Sequence, residues 1–297
     1  MRISSSLFYD RSADAMARLS SRADALQTQI ATGKRLASPS DDSSAYSRLQ
    51  LIARDTADAR ATASNLDTAA AVLAQADSTL TDIAAQIQRA SELAIRARSG
   101  TNDATSLAAI ADEIDAIRDQ LAALGNATDA RGQPLFGGRA GEAAVTLDAN
   151  GVATFASTSP SAIPTQSGQS VQPSESAQRV FAFGGTDLFA TLADLSAALR
   201  AGTDVPAAAG QAITDLGRAS TQALTVQASL GARAARVELE QAALSAADID
   251  REAARSAIED TDITAAITEL QKTMTVLQAT QASFAKLQGL TLFDYLR

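Results

Sequence analysis

The sequence predicts a mainly α chain: an elongated antiparallel helical bundle or coiled-coil rod, with both termini at one end and a small β-rich insertion at the other. Three observations carry this prediction. Near the start Met16, Leu19, Ala23, Leu26 and Ile30 recur at alternating spacings of three and four, and near the finish Ile263, Ile267, Leu270, Met274, Leu277 and Phe284 do much the same. Long heptad runs lie between them, at Leu66, Leu73, Leu80, Ile87 and Ala94 and again at Leu216, Ala223, Leu230, Val237 and Leu244. From Arg131 to about Gly185 that period is lost, and Gly, Pro, Ser, Gln and Thr dominate. Apolar residues at such spacings form the a/d seam of a coiled coil. A helix with one narrow apolar stripe is stabilised mainly by burying it, so the two ends pair with each other or with another chain.

In chain order, the first helix is predicted from about Leu7 to Thr32, with Gly33 as its left-handed stop and Lys34 and Arg35 suited to a helix C-terminus. Pro39 keeps the chain extended, and Ser40, Asp41 and Asp42 supply a cap and first-turn charge for a second helix running to Ser99, with Gly100 ending it. That helix spans about 85 Å. Ala69, Ala76, Ile83 and Ala90 fill its other seam position. A third helix starts near Asn102 or Asp103, carries Leu107, Ile110, Ile114, Ile117, Leu121 and Leu124, and ends at Gly125; the short turn before it makes it an antiparallel neighbour of the second.

In the insertion, Ala144 to Leu147 and Val152 to Phe155 flank a turn at Asn150-Gly151 and read as a β-hairpin. Val180 to Phe183 reads as a further strand, and Ser157 to Ser176 as a mobile stretch. Helix returns at Leu188 to Arg200 and from Val205 or Pro206 to about Ile258, with Ile213 opening the stripe of the longer one; Asp260 or Thr261 caps the last. The expected domains are residues 1–40 with 258–297 for assembly, 41–137 with 188–257 as a helical rod, and 138–187 as the outer insertion.

Composition excludes several classes. The chain has no His and no Cys, which removes Ser-His-Asp triads, Cys nucleophiles, imidazole acid-base chemistry and the common zinc sites. No enzyme activity, cofactor or metal is expected. Asp41-Asp42 follows Pro39 and precedes a long helix, so it reads as cap and first-turn charge rather than as a catalytic pair. A formal charge of −9 leaves no basic face for nucleic acid. Aromatics are only 4% and Trp is absent, which favours thin, close-packed bundles over a wide core. Membrane insertion and a cleaved signal are not expected, because long apolar runs and an apolar region near the start are lacking. Gly137-Gly138 and Gly184-Gly185 lack the spacing and Lys of a phosphate loop and read as turns. Gly231, isolated inside a helix, reads as a point of close helix approach.

Several segments resemble the flagellin family of bacterial flagellar proteins. They are MRISSS at the start, ATGKRLASPSDDSSAYSRL from Ala31 to Leu49, ATDARGQPLFGG from Ala127 to Gly138, ASLGARAARVE from Ala228 to Glu238, IEDTDITAAITELQ from Ile258 to Gln271, and FAKLQGLTLFDYLR from Phe284 to Arg297. Within the family, TGKRLASPSDD and the LTLFDYLR ending resemble the branch that joins hook to filament, whereas IQRASELAIRARSGTND from Ile87 to Asp103 resembles filament subunits as closely.

The resemblance implies a structural subunit of the extracellular flagellum, serving motility and secreted unfolded through the type III export route without a cleaved signal. It implies self-assembly into a tube through the terminal helices. The implied partners are further copies of this chain, other hook-associated proteins, flagellin and an export chaperone. The expected assembly residues are Ile3, Leu7, Met16, Leu19, Leu26, Ile30, Ile263, Ile267, Leu270, Met274, Leu277, Phe284, Leu292, Phe293 and Leu296. Gly33, Pro39, Asp41, Asp42 and Gly231 are the expected turn, cap and packing positions. A filament subunit is the alternative reading, and a type III needle-tip-like coiled-coil protein a third.

Overall fold

The computed structural model describes residues 2–99, 101–137, 139, 141–148, 151–158, 160–165 and 168–289. Seven helices of the described residues follow in order: α1 (Arg2–Thr32), α2 (Ser43–Arg98), α3 (Ala104–Gly125), α4 (Ala177–Phe181), α5 (Leu188–Ala201), α6 (Val205–Glu259) and α7 (Ile263–Gly289). Between α3 and α5 lie the short strands β1 (Val145–Leu147), β2 (Ala153–Phe155), β3 (Ile163–Pro164), β4 (Ser170–Val171), β5 (Ala182–Phe183) and β6 (Thr186–Asp187). They form three separate antiparallel pairs, β1-β2, β3-β4 and β5-β6. The mainly α class stands. Two compact units divide the chain, Met1–Asp58 with Ala246–Arg297 and Ala59–Ser245.

The central unit is built on the predicted heptads. Leu66, Ala69, Leu73, Ala76, Leu80, Ile83, Ile87, Ala90 and Ala94 of α2 are all buried, and so are Leu216, Ala223, Leu230, Val237 and Leu244 of α6; Ile213 is half-buried. Gln227 Nε2 reaches Asp77 at 3.0 Å and Gln241 Nε2 reaches Asp67 at 2.9 Å, so α6 runs antiparallel to α2. Asp103 caps α3 by accepting from the Ser106 N–H at 2.8 Å. Ile110, Ile114, Ile117 and Leu121 of α3 are buried, while Leu107 and Leu124 are partly so. An ion pair between Arg89 and Glu113, with Nε to Oε1 at 2.8 Å, ties α3 to α2. Arg200 joins α5 to Asp112 and Asp115 of α3.

The insertion packs into this same core through Val145, Ile163, Val171, Val180, Phe181 and Phe183. The hairpin at β1 and β2 is as predicted, with Val145 opposite Phe155 and Gly151 at φ +79° in the turn. Gly125 is placed by close approach: a Cβ there would lie 2.8 Å from Val145 Cγ2 and 2.9 Å from Phe181 Cε2. Gly125→Ala is therefore expected to lower stability by about 1–3 kcal/mol, read as a fall in the calorimetric midpoint; an unchanged midpoint would show that the hairpin yields freely.

Several expectations are corrected. Helix α1 begins at Arg2 rather than near Leu7. Val180 and Phe181 belong to a short helix capped by Ser176, whose side chain accepts from the Arg179 N–H, and only Ala182 and Phe183 are strand. An apolar run is ambiguous between the two states, and the cap decided it. The stretch read as mobile holds the β3-β4 hairpin and buried Ser174 and Glu175 among its described residues. Arg233 of α6 anchors it, donating to Gln172 O at 2.9 Å, to Ser174 O at 3.1 Å and to the Glu175 carboxylate. Asp262, rather than Asp260 or Thr261, caps α7 by accepting from the Ala265 N–H at 3.0 Å. Among the described residues nothing lies within 4 Å of a Cβ built on Gly231, so no close approach between them requires it. Gly100, Gly138 and Asn150 lie outside the described residues.

Candidate assembly interface

Helices α1 and α7 pack on each other in the terminal unit. The Tyr9 and Phe284 rings meet edge-on, with centroids 5.6 Å apart and planes at 87°. At the other end the Thr261 N–H donates to Gly33 O at 2.9 Å. The start of α1 thus lies against the finish of α7, and the pair is antiparallel.

The inward face of α1 is the predicted one. Ala23 and Leu26 are buried, with Met16, Leu19 and Ile30 half-buried and Leu7 exposed. On α7 the phase differs from the prediction. Ala266 and Thr273 are buried, and Leu270, Leu277, Thr280 and Phe284 are half-buried, which gives an inward seam at 266, 270, 273, 277, 280 and 284. Ile263 is 48% exposed and Ile267 41%, with Met274 and Val276 exposed beside them. Leu270, Leu277 and Phe284 of the predicted stripe face in, whereas Ala266 and Thr273 take the inward places expected of Ile263, Ile267 and Met274, which turn out. The side chain of Ile3, and Leu292, Phe293 and Leu296, lie outside what the structure describes.

The turns that join these helices to α2 and α6 form a clasp. Gly33, at φ +71°, ends α1 and donates its N–H to Gln29 O at 2.9 Å, the conformation for which the sequence marked it. Lys34 then pairs with Asp260 as an antiparallel bridge, and the Arg35 N–H donates to Glu259 O at 2.6 Å. The Arg35 guanidinium reaches Ile258 O at 2.9 Å, and Lys34 Nζ sits 2.5 Å from the Glu259 carboxylate, which Arg255 also holds. Leu36 is buried beneath this turn, a core position that the helical periodicity gave no means of finding. Past exposed Pro39, the two acids divide the work expected of them jointly. Asp41 accepts from the Ala37 and Ser38 N–H groups and closes the turn, whereas Asp42 caps α2 by accepting from Ser44 and Ala45.

These partners set the acid response. The Lys34 ammonium, against partial burial and with help from Arg255, holds the Glu259 carboxyl below its usual range. Donation from Ser38 and Ala37 does the same for Asp41, and donation from the Ala45 N–H and the Ser44 side chain for Asp42. A carboxyl whose folded pKa is depressed contributes its stability fully above the unfolded value near 4, and loses it as the pH falls through the folded value. The clasp is expected to be intact at about pH 6 and to loosen below about pH 4. Limited proteolysis between residues 33 and 42 across that range is the check, and an unchanged cleavage rate would contradict it.

Among the described residues no group of three or more acidic side chains comes together as a metal site, and no helix is long and apolar enough to cross a membrane. What the terminal unit offers is an unburied apolar stripe on a helix pair pinned at one end. The family model for the bacterial flagellin N-terminal helical region matches residues 3–140, and that for the C-terminal helical region matches residues 213–296.

The chain belongs to the flagellin family.

The two matches cover α1 to α3 and most of α6 with α7, and leave out α4 and α5. Among relatives of this flagellin-family chain, the flagellar hook-associated protein 3 of Salmonella typhimurium is 27% identical over 99% of each chain. That of Escherichia coli is 28% identical over 90% of each. The fold is shared with FlgL of Xanthomonas campestris, with a TM-score of 0.61 at 15% identity over 69% of this chain and 99% of that one. It is also shared with the flagellar junction protein FlgL of Legionella pneumophila, with a TM-score of 0.58 at 14% identity over 73% and 100%.

Proposed function

We propose that this chain is a structural subunit of the bacterial flagellum that joins hook to filament, polymerising through its paired N- and C-terminal helices. The observation that carries the reading is the α1-α7 pair with Ile263, Ile267 and Met274 left outside its seam, in a chain similar over 99% and 90% of its length to two hook-associated proteins. A helix pair with a second apolar stripe is half of a larger bundle, and a tube of neighbouring copies supplies the rest.

The mechanism is coupled folding and assembly. Of the described terminal helices, only Ala23, Leu26, Ala266 and Thr273 are fully buried, so the arms add little to the stability of the free chain and gain their order on docking. Export in an unfolded state through the type III route, with a chaperone shielding the arms, follows from the same weakness. Flagellin and the other hook-associated proteins are the neighbours on either side of the junction, outside the cell.

Electron microscopy of isolated flagella carrying a tag after Gly168 tests the location. A narrow band of label between hook and filament is expected. Label along the whole filament would make this a filament subunit.

A further inference from the structure

The central unit holds a cavity of about 280 Å³ between the turn at residues 129–135 and the segments around Pro160 and Pro173. Val72 of α2, Pro134, Leu135, Pro160 and Pro173 give it aliphatic walls, with Val72 and Leu135 buried. A bridge between Thr128 and Pro134 closes the turn. Gly137, at φ +101°, lets one wall come near: a Cβ there would lie 2.6 Å from Thr158 O and 3.8 Å from Pro160 Cδ. The polar lining is Asp129, Arg131, Gln133, Ser161 and Ser174.

We propose that this cavity binds a small carboxylate with a compact apolar body, the carboxylate on Arg131 and the body against the prolines. The inference stands apart from the assembly reading above. Asp129 is 7% exposed, and its oxygens are spent within the turn. Oδ1 accepts from the Arg131 and Gln133 N–H groups at 2.8 and 2.9 Å, and Oδ2 accepts from Arg131 Nε and Nη2 at 2.9 and 2.8 Å. No other acid lines the cavity, so what a ligand meets is the guanidinium that Asp129 holds in place. Nη1 of Arg131 has no partner among the described residues, which leaves a fixed, charged pair of N–H donors. The exposed Gln133 amide and Ser161 hydroxyl add donors beside it.

Charge and size choose the ligand. A cation finds no free acid here, whereas an anion gains charge-assisted hydrogen bonds, which are roughly twice as strong as neutral ones. The prolines, with Val72 and Leu135, let an apolar body shed its water. Ser174 is a second pointer: it is 1% exposed, and its Oγ has no hydrogen-bond partner among the described residues. A buried hydroxyl without a partner is destabilising, and an acceptor seated in the cavity relieves it. The volume falls just below the range of about 300–1,000 Å³ that suits drug-sized ligands, so a molecule of about ten non-hydrogen atoms fits. Such a carboxylate comes from a free acid or from the C-terminus of another chain.

Titration calorimetry of the full-length chain tests this, with phenylacetate, its neutral counterpart phenylacetamide, and a short peptide ending in phenylalanine. Phenylacetate is expected to bind with a Kd on the order of 1 mM, and phenylacetamide at least about tenfold more weakly. Tighter binding of the peptide assigns the carboxylate to a chain terminus, and weaker binding assigns it to a free acid; both support the site. Arg131→Gln is expected to weaken phenylacetate binding at least about tenfold. Ser161→Phe, at an exposed lining position, is expected to block the cavity with the melting temperature unchanged. The proposal is overturned if neither carboxylate binds up to about 10 mM, if phenylacetate and phenylacetamide bind equally, or if both variants leave binding unchanged. None of these readouts depends on polymerisation, so their failure leaves the assembly reading intact.

Discussion

Replacing Ile267 and Met274 together by glutamate leaves the central unit folded and abolishes assembly. Both side chains stand outside the α1-α7 seam, with Ile267 41% and Met274 37% exposed, so the substitution removes only partly buried contacts of the free chain. In the assembled tube each loses about 1 kcal/mol of apolar burial, and each introduced carboxylate costs several kcal/mol to desolvate. The sum is at least about 3 kcal/mol per subunit, a rise of more than a hundredfold in the critical concentration. Turbidity and electron microscopy of polymerising chain measure it, with circular dichroism as the folding control. Assembly at the wild-type concentration would remove this stripe from the interface.

Phe189→Ala has the opposite signature: it destabilises the central unit and leaves the terminal stripe intact. Phe189 is fully buried at the start of α5, where its ring lies 5.0 Å from that of Phe181 and 6.2 Å from that of Phe155. Phe155 and Phe181 are themselves stacked, with centroids 6.4 Å apart and planes within 7°. Three elements, β2, α4 and α5, are thus joined through one set of rings, in a chain with few aromatics. Truncation costs about 3–5 kcal/mol for the buried ring and its cavity, with the ring-ring contacts adding up to about 1 kcal/mol each. For a unit of this size the calorimetric midpoint is expected to fall by about 10 °C or more. A shift of only a degree or two would mean that the insertion is not fastened to the helical core through this cluster.

Much of the fold is legible because heptad repetition over many turns admits one reading. Leu66 to Ala94 and Leu216 to Leu244 are buried as their spacing requires, and Gly33, Asp42 and Asp103 end or begin helices by ordinary capping chemistry. The phase of α7 was not legible. The predicted stripe mixes two registers: Leu270, Leu277 and Phe284 face in, whereas Ile263, Ile267 and Met274 turn out. A helix meeting its partner closely buries Ala266 and Thr273 instead.

The β3-β4 hairpin escaped notice for a related reason. Its order comes from Arg233, which lies far along the chain and satisfies two carbonyls and a carboxylate of the hairpin's flank. Local composition holds no trace of such a partner. Leu36 escaped because it is buried in the turn between two helices, where no period applies.

The central claim is that the terminal helices acquire their stability by assembling, and amide hydrogen exchange on the free chain and on isolated flagella tests it most directly. Rapid exchange across residues 7–32 and 263–286 in the free chain, slowing by orders of magnitude in the assembled form while residues 66–94 and 216–244 stay protected in both, is the predicted result. Strong protection of both arms before assembly would contradict it.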